Sequence, residues 1–435
     1  MPILSVIIPV YNVESYLDEC LQSILNQVDI DYEVILVDNA ATDHSGRICD
    51  DYAASYKHIK TIHLDVNCLP AGARNAGLRI ATGNYVHFCD SDDYYIDGVF
   101  LQIKDLLQCS GPDVLMGRFV CVPEKGAYIT NDITLDPDVF KGCCSSSMAE
   151  YLLSLPNLLC TSWRLIVSRE LLLANRITFP EGCHSEDEEW FTKVICCANT
   201  FALLHKPFYC YRPRAIGSVT ATKEYLNSKS HLIITLHLLR FLHGKNYEDA
   251  RRNLIYSRVD FLLGLFATRC DTFCRRELHE LADIIEKNMD IFPLVAKLSR
   301  NYYLFELIDV YGPFIGICMY RTLVVEMTLK LLYGQEGKEM IYVFPTGYNG
   351  EGTARILQNA GYNVKGFLDN SEQKAGCVIN GLPVSLPSTL ERMSPETRDG
   401  IFVIVTIQSE NIAQLIKKQL RELGLRDFQF ASRIY

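Results

Sequence analysis

Short apolar runs alternate with stretches of helical periodicity over the first hundred residues. The runs lie at residues 5–8, 33–37, 60–64 and 85–89. Between the first two, Leu17, Leu21, Ile24 and Leu25 recur at the spacing of one helical face. Uninterrupted β-branched runs are typical of parallel strands that are buried on both faces. The pattern predicts a βαβαβ series, whose ligands would gather at the carboxyl ends of the strands.

The pattern changes twice further along the chain. Short strands are predicted around residues 113–122 and 201–211, and residues 221–335 have the Leu and Ile spacing of consecutive helices. Strand and helix patterns then alternate again after Gly337. We therefore predict an α/β protein with three parts. They are a sheet domain over 1–220, a helical section over 221–335 and a small Rossmann-like α/β domain over 336–435.

The most apolar later region extends from Tyr302 to Leu332. Its longest uncharged run, Val310 to Tyr320, has 11 residues, whereas a membrane-spanning helix needs about 20. We predict a buried or partner-facing pair of amphipathic helices, with contact to a membrane surface as the second interpretation. Residues 221–335 carry 15 Lys and Arg against 13 Asp and Glu, so attraction to an acidic surface would start there.

Charge and cysteine usage narrow the functional classes. The chain of 435 residues has a formal net charge of −10, which argues against a nucleic-acid partner. Its 17 cysteines are scattered and include no C-x-x-C pair. With a strand predicted from Leu4 there is no space for a secretory leader. We expect a cytoplasmic protein with reduced cysteines, either free of the membrane or peripheral at its inner face.

An acidic turn follows the fourth predicted strand. Asp90, Asp92 and Asp93 lie within four residues and repel one another unless a cation or hydrogen-bond donors neutralise them. Carboxylate oxygens suit Mg²⁺ or Mn²⁺, which also bind phosphates. A solvated loop or a helix N-cap would give the same local pattern. The motif alone therefore leaves a metal site and a surface turn open.

Three more segments precede this turn in a fixed order: Ile7–Asn12, Leu36–Asp43 and Ala71–Gly77. Together with the acidic turn they resemble the family-2 glycosyltransferases of the GT-A fold, over about residues 3–220. The usual Asp-Asp-x-Ser-x-Asp pattern is altered here, because Asn39 and Ala41 replace its second Asp and its Ser.

The resemblance implies roles for residues in these segments. Pro9 and Tyr11, at the end of the first strand, and Asp38 would bind the nucleotide base of a sugar donor. Arg74 would contact the nucleotide or its diphosphate. Asp90 would face the ribose, and Asp92 would hold a Mn²⁺ or Mg²⁺ ion.

A second acidic run starts a predicted helix at residues 186–189. Acidic residues are common in the first turn of a solvated helix, but the resemblance assigns the catalytic base to Asp187, with Glu186 on the acceptor side. Arg212, before Gly217 and Ser218, resembles a residue that closes over the diphosphate. Trp163 stands where the family lines its acceptor pocket, although a core position is an equal interpretation.

The C-terminal domain contains an incomplete dinucleotide fingerprint. Gly347 and Gly350 match its last two glycines, Pro345 replaces the first, and Asp369 has the spacing of a ribose-binding acid. The segment resembles small Rossmann-like domains attached to sugar-modifying enzymes. Binding of a nucleotide or phosphate, a separate catalytic role, and a structural or docking role all remain open.

The resemblance implies an inverting glycosyltransferase. Its donor would be a nucleotide sugar, most commonly a UDP-sugar, and its acceptor a hydroxyl of a glycan or lipid-linked glycan in capsule, lipopolysaccharide or related cell-surface polysaccharide assembly. The alternatives are a nucleotide-sugar-binding module without transfer activity, a nucleotidyltransferase, and a dehydrogenase built on the C-terminal domain.

Overall fold

The computed structural model describes residues 2–27, 30–122, 135–155, 158–213, 224–267, 269–291, 302–332, 335, 340–407 and 410–431. The chain divides into two compact units. The first contains residues 1–230 and 240–258, and the second contains 231–239 and 259–435. The predicted helical section contributes to both units, and its boundaries remain a prediction.

One mixed sheet forms the centre of the first unit. Its strands are β1 (Leu4–Val10), β2 (Tyr32–Asp38), β3 (Ile59–His63), β4 (Tyr85–Phe88), β5 (Tyr94–Tyr95), β6 (Val114–Cys121), β7 (Leu165–Ser168) and β8 (Phe201–Tyr211). Among the described residues their order is β3-β2-β1-β4-β7-β6-β8-β5. β3, β2, β1 and β4 run parallel, whereas β7 is antiparallel to both β4 and β6. The parallel half follows the predicted βαβαβ series.

Seven helices join strands of this sheet: α1 (Leu17–Leu25), α2 (Ser45–Ser55), α3 (Leu69–Ile80), α4 (Val99–Cys109), α5 (Ser145–Ser154), α6 (Arg169–Ala174) and α7 (Glu186–Cys197), as far as the chain is described. After β8 come α8 (Glu224–Leu242) and α9 (Asp249–Ala267), each with residues in both units. Single 3₁₀ turns cover Pro137–Phe140 and Ser162–Arg164. The apolar face predicted for α1 is buried at Leu17, Leu21 and Ile24.

Burial fixes the central strands. Val6, Ile7 and Ile8 of β1 have no exposed surface, and burying such a side chain contributes about 1.5–3 kcal/mol. β1 lies between β2 and β4. Ile7 packs against α3, where a Cβ at Gly77 would lie 2.3 Å from it, and Val6 and Ile8 share a core cluster with Leu17 and Leu21 of α1. A rigid centre of this kind places the ends of β1, β2 and β4 at one edge of the sheet.

The second unit contains helices followed by a smaller sheet. Its helices are α10 (Arg275–Glu286), α11 (Tyr302–Tyr311), α12 (Pro313–Lys330), α13 (Tyr348–Asn359), α14 (Pro395–Asp399) and α15 (Glu410–Glu422), with 3₁₀ turns at Cys270–Thr272, Met289–Ile291 and Pro387–Arg392. Its strands are β9 (Met340–Phe344), β10 (Val364–Leu368), β11 (Val378–Ile379), β12 (Leu382–Ser385), β13 (Ile401–Val405) and β14 (Phe428–Phe430). In the described residues they are ordered β11-β12-β10-β9-β13-β14. The α/β class, the helical section and the second sheet domain expected from the sequence are confirmed.

The predicted helix pair corresponds to α11 and α12. A side chain at Gly316 would meet the Ile308 backbone at 2.6 Å, so the two helices pack closely there. Ile308 and Ile317 are fully buried, while Val310 and Ile315 are exposed. In the part of the chain that is described, no helix is both long and apolar enough to cross a membrane.

Candidate active site

Most of the predicted nucleotide-binding residues lie at the carboxyl edge of the first sheet. Register pairs Val10 of β1 with Asp38 of β2, and the Asn39 amide donates to the Val10 carbonyl at 2.8 Å. Pro9 is therefore inside β1, and Tyr11 follows it with 43% of its surface exposed. An exposed aromatic ring next to a strand end suits a flat nucleotide base.

Two groups hold the Asp38 carboxylate. Its Oδ1 accepts a hydrogen bond from the Ala41 amide at 2.9 Å, and its Oδ2 lies 2.8 Å from Nδ1 of His63. His63 also contacts Asp50, and its hydrogen bonds with Asp38 and Asp50 raise the pKa of the imidazole. His63 ends β3 and was not predicted, because its place beside Asp38 depends on the pairing of β2 with β3.

Asn39 replaces an acid of the usual family pattern and has its own structural role here. Its Nδ2 donates to the Leu69 carbonyl at 3.1 Å, and its Oδ1 accepts from the Cys68 amide at 2.8 Å. The side chain thus links the end of β2 to the start of α3. This contact helps to place the helix that carries Arg74.

The guanidinium of Arg74 lies among three carboxylates. Its Nη2 donates to Oδ1 of Asp90 at 2.8 Å and its Nη1 to Oε1 of Glu186 at 2.6 Å, while Oδ1 of Asp187 lies 3.5 Å from Nη1. Only 5% of the Arg74 side chain is exposed, and its cation also lies over the Phe179 ring. Two distant acidic motifs and the third family segment therefore meet at one buried cation.

Asp187 is the member of this group with an unusual proton affinity. Burial raises the pKa of its carboxyl to about 7, with Glu186 and Asp90 adding to the rise and Arg74 opposing it. Its Oδ1 accepts no hydrogen bond among the described residues. A carboxylate that is half protonated near neutral pH is suited to accept a proton from a substrate.

The other acids of the first turn of α7 contact cationic side chains. Glu186 binds Arg74, Glu189 binds Lys193, and Glu188 binds Arg258 through both of its oxygens. This acidic run is therefore not a solvated helix start. Arg258, from α9, was not found by sequence reasoning, since it lies 70 residues beyond Glu188.

The acidic turn after β4 is anchored from β8. The Asp90 amide donates to the Tyr209 hydroxyl at 3.0 Å, and Oδ1 of Asp93 accepts from the Arg212 amide at 2.7 Å. Burial, followed by the charges of Asp90 and Asp92, raises the pKa of Asp93 above its ordinary value. Nearby carboxylates therefore repel in this turn.

The turn offers a divalent cation the right kind of ligand. Within the described ranges no group of three His, Cys, Asp or Glu side chains is arranged to hold a metal ion. Mg²⁺, however, is often bound by one or two carboxylates together with substrate phosphates and water. The half-buried Asp92, beside repelling carboxylates, fits that smaller requirement.

Arg212 and Trp163 contact residues other than Arg74. The Arg212 side chain binds Glu19 at 2.7 Å and lies over the Tyr16 and Tyr94 rings, and its amide binds Asp93 of the acidic turn. Gly217 and Ser218 lie outside the described residues. Trp163 is 4% exposed and stacks on the ring of Tyr209, which agrees with the core interpretation.

In the second unit, the candidate acid is already bonded. Oδ2 of Asp369 accepts from the Thr346 amide at 3.1 Å, the Thr346 hydroxyl and the Lys374 ammonium, and its Oδ1 accepts from the Ser371 amide at 2.9 Å. Burial alone would raise the pKa of Asp369, but these donors lower it. The carboxylate thus ties the ends of β9 and β10 together.

Known proteins match this chain over part of its length. Residues 5–156 match the family described as "Glycosyl transferase family 2". Residues 5–156 are therefore identified as a family-2 glycosyltransferase domain. The uncharacterized glycosyltransferase EpsJ of Bacillus subtilis is 28% identical over 60% of this chain and 78% of its own length. Glycosyltransferase GlyG of Streptococcus pneumoniae is 27% identical over 51% of this chain and 74% of its own length.

A solved structure extends the likeness to the fold. TarS 1–349 of S. aureus, in complex with UDP-GlcNAc, superimposes with a TM-score of 0.54 at 24% identity, over 76% of this chain and 91% of that one. The GT-A fold expected for the glycosyltransferase domain is therefore confirmed.

Proposed function

We propose that the glycosyltransferase domain moves a sugar from a nucleotide-sugar donor to an acceptor hydroxyl, with inversion at the anomeric carbon. One observation carries the proposal. Asp187, whose carboxyl has a pKa of about 7, lies beside a buried arginine that also binds Asp90. A proton acceptor thus adjoins the strand ends at which parallel sheets bind nucleotides.

The donor would lie along the ends of β1, β2 and β4. Pro9, the exposed Tyr11 ring and Asp38 would hold the base, and Asp90 would face the ribose. Arg74 holds Asp90 in place through a 2.8 Å hydrogen bond and sets a positive charge close to the diphosphate position. Arg212, at the end of β8, would lie on the outer side of the diphosphate.

A Mg²⁺ or Mn²⁺ ion held by Asp92 would offset the negative charge of the departing nucleoside diphosphate. The carboxylate chemistry of the turn supports this cofactor.

Asp187 would act as the general base. Its carboxylate takes the proton of the acceptor hydroxyl while that oxygen bonds to the anomeric carbon. The bond from that carbon to the diphosphate oxygen breaks, and the electron pair leaves with the nucleoside diphosphate. Glu186, on the acceptor side, holds Arg74 through a 2.6 Å hydrogen bond. A single displacement on the face opposite the leaving group inverts the carbon.

The proposed acceptor class rests on similarity to proteins of known name. Relatives include a poly(ribitol-phosphate) beta-glucosyltransferase of Bacillus spizizenii, 32% identical over 43% of this chain. We therefore propose a glycan or lipid-linked glycan acceptor in cell-surface polysaccharide assembly, reached from the cytoplasm, with residues 221–335 as the candidate membrane contact. UDP-GlcNAc, present in the TarS structure, is the first donor to test.

A panel of nucleotide sugars tests the proposal. We expect one donor to raise the melting temperature of the protein, more so with Mn²⁺, and to be turned over to free nucleoside diphosphate. NAD(H) and a nucleoside triphosphate with a sugar phosphate are the controls for a dehydrogenase and a nucleotidyltransferase. If a donor binds but is not turned over when acceptors are supplied, the protein would be a nucleotide-sugar-binding module without transfer activity. No shift with any donor would contradict the proposal.

A further inference from the structure

The N-terminal turn of α7 carries the base, and α9 holds this helix at two places. Near the start of α7, the Arg258 guanidinium contacts Oε2 of Glu188 at 2.9 Å and Oε1 at 3.4 Å. Near its end, Nη1 of Arg251 donates to the Cys196 carbonyl at 3.3 Å. All of these residues belong to the first unit.

The two contacts have matching spacing. Arg251 and Arg258 are seven residues apart on α9, while Glu188 and Cys196 are eight apart on α7. At a rise of 1.5 Å per residue, these separations are roughly 10 and 12 Å. The order of the partners is reversed, so α9 lies antiparallel to α7. Each arginine therefore fixes a different turn of the same helix.

The contact at the N-terminal turn is the more costly one to break. The side chains of Arg258 and Glu188 are 6% and 14% exposed, and burial raises the pKa of Glu188 while Arg258 opposes that rise. Removing one partner of a buried ion pair leaves an uncompensated charge, which the structure relieves by moving or by taking up a proton. Glu188 is the residue directly after Asp187, so such a movement would displace the base.

We propose that Arg258 is a positioning residue for transfer, which acts through Glu188 to hold Asp187 in line with the acceptor. Its contacts with Glu188 are on α7, whereas Asp38 and Asp90, which would bind the donor, lie at the ends of β2 and β4. This inference rests on the proposed function, because it requires Asp187 to act as the base. Its distinguishing consequence is a loss of kcat without a loss of donor binding.

Arg258→Met tests this role, with Arg251→Met as the matched control on the same pair of helices. We expect Arg258→Met to lower kcat at least about tenfold with the donor KM within about twofold of the parent. Arg251→Met should keep kcat within about twofold, since its contact is two turns from the base. Equal kcat losses in the two variants would show a general structural role and overturn the inference.

A double variant keeps the test valid if Arg258→Met folds poorly. Glu188→Gln combined with Arg258→Gln removes both charges, so no buried ion is left without a partner. We expect it to recover kcat to within about threefold of the parent, well above a single Arg258→Gln variant. No recovery, or full activity in Arg258→Met, would contradict the inference alone. A parent protein that transfers no sugar would instead contradict the proposed function.

Discussion

The two sheets of this protein each present an acid at the carboxyl end of a central strand, but the acids have opposite surroundings. In the first unit, Asp90 shares the buried Arg74 with Glu186 and Asp187, so one cation serves three carboxylates. In the second unit, Asp369 alone receives hydrogen bonds from Thr346, Ser371 and Lys374. At the first edge three carboxylates share one arginine, whereas at the second edge one carboxylate has hydrogen-bond donors from three residues.

This difference separates a reactive acid from a structural one. Burial raises the pKa of Asp187 to about 7, with the charges of Glu186 and Asp90 adding to the rise, which makes it a base near neutral pH. The excess of donors lowers the pKa of Asp369, which makes it a permanent anion bonded within the fold. Asp369 thus has the surroundings of a structural acid, whereas Asp187, in the first turn of α7, has those of a proton acceptor.

The largest expected effect is on transfer. Asp187→Asn keeps the shape of the side chain but cannot accept the proton of the acceptor. We expect kcat to fall at least about 10³-fold, with the donor-dependent rise in melting temperature retained because Asp38 and Asp90 are unchanged. Initial rates of nucleoside diphosphate release measure kcat, and thermal-shift assays measure the donor-dependent rise in melting temperature. Transfer at near-normal rate by the variant would show that another group is the base.

A smaller effect tests the close backbone approach at the second edge. A Cβ at Gly350 in α13 would lie 2.2 Å from the Pro345 carbonyl oxygen, a backbone atom that cannot move away easily. We expect Gly350→Ala to destabilise the second unit by about 1–3 kcal/mol, measured by urea unfolding.

Gly400→Ala is the matched control within the same unit. Its Cβ would be 3.4 Å from the Thr397 carbonyl, which is ordinary contact, and we expect a change within about 0.5 kcal/mol. If both variants unfold at the same urea concentration, the turn after β9 is not tightly constrained. In that case the structure would not require a glycine at position 350.

The sequence predicts the acids of the first edge and Arg74, but not the other residues that contact these acids. The strands and the motif at Asp90 are local signals, because apolar runs and turn residues are adjacent in the chain. His63, Tyr209 and Arg258 reach their acids only through strand pairing or helix packing across long separations. No local pattern distinguishes them from ordinary surface or core residues.

The second edge shows the same limit. Spacing alone made Asp369 a candidate for ribose binding, because 19 residues separate it from Gly350. Its hydrogen bonds with Thr346 depend on β9 and β10 lying side by side. The helix after β9 begins at Tyr348, directly after Gly347, which adopts a φ of 136°.

The smallest expected effect is a contrast in the pH dependence of stability. Asp187 has a raised pKa in the folded state, so its contribution is present at low pH and is lost as pH rises towards 7. Asp369 has a lowered pKa, so its contribution is present at neutral pH and is lost only below about 4.

Between pH 5 and 8 the gain from Asp187→Asn should therefore grow by a few degrees in melting temperature. The loss from Asp369→Asn should stay constant over that range, because its carboxyl remains ionised throughout. Differential scanning calorimetry of both variants beside the parent measures the two slopes, and equal slopes would show that the two edges do not differ in their donor supply.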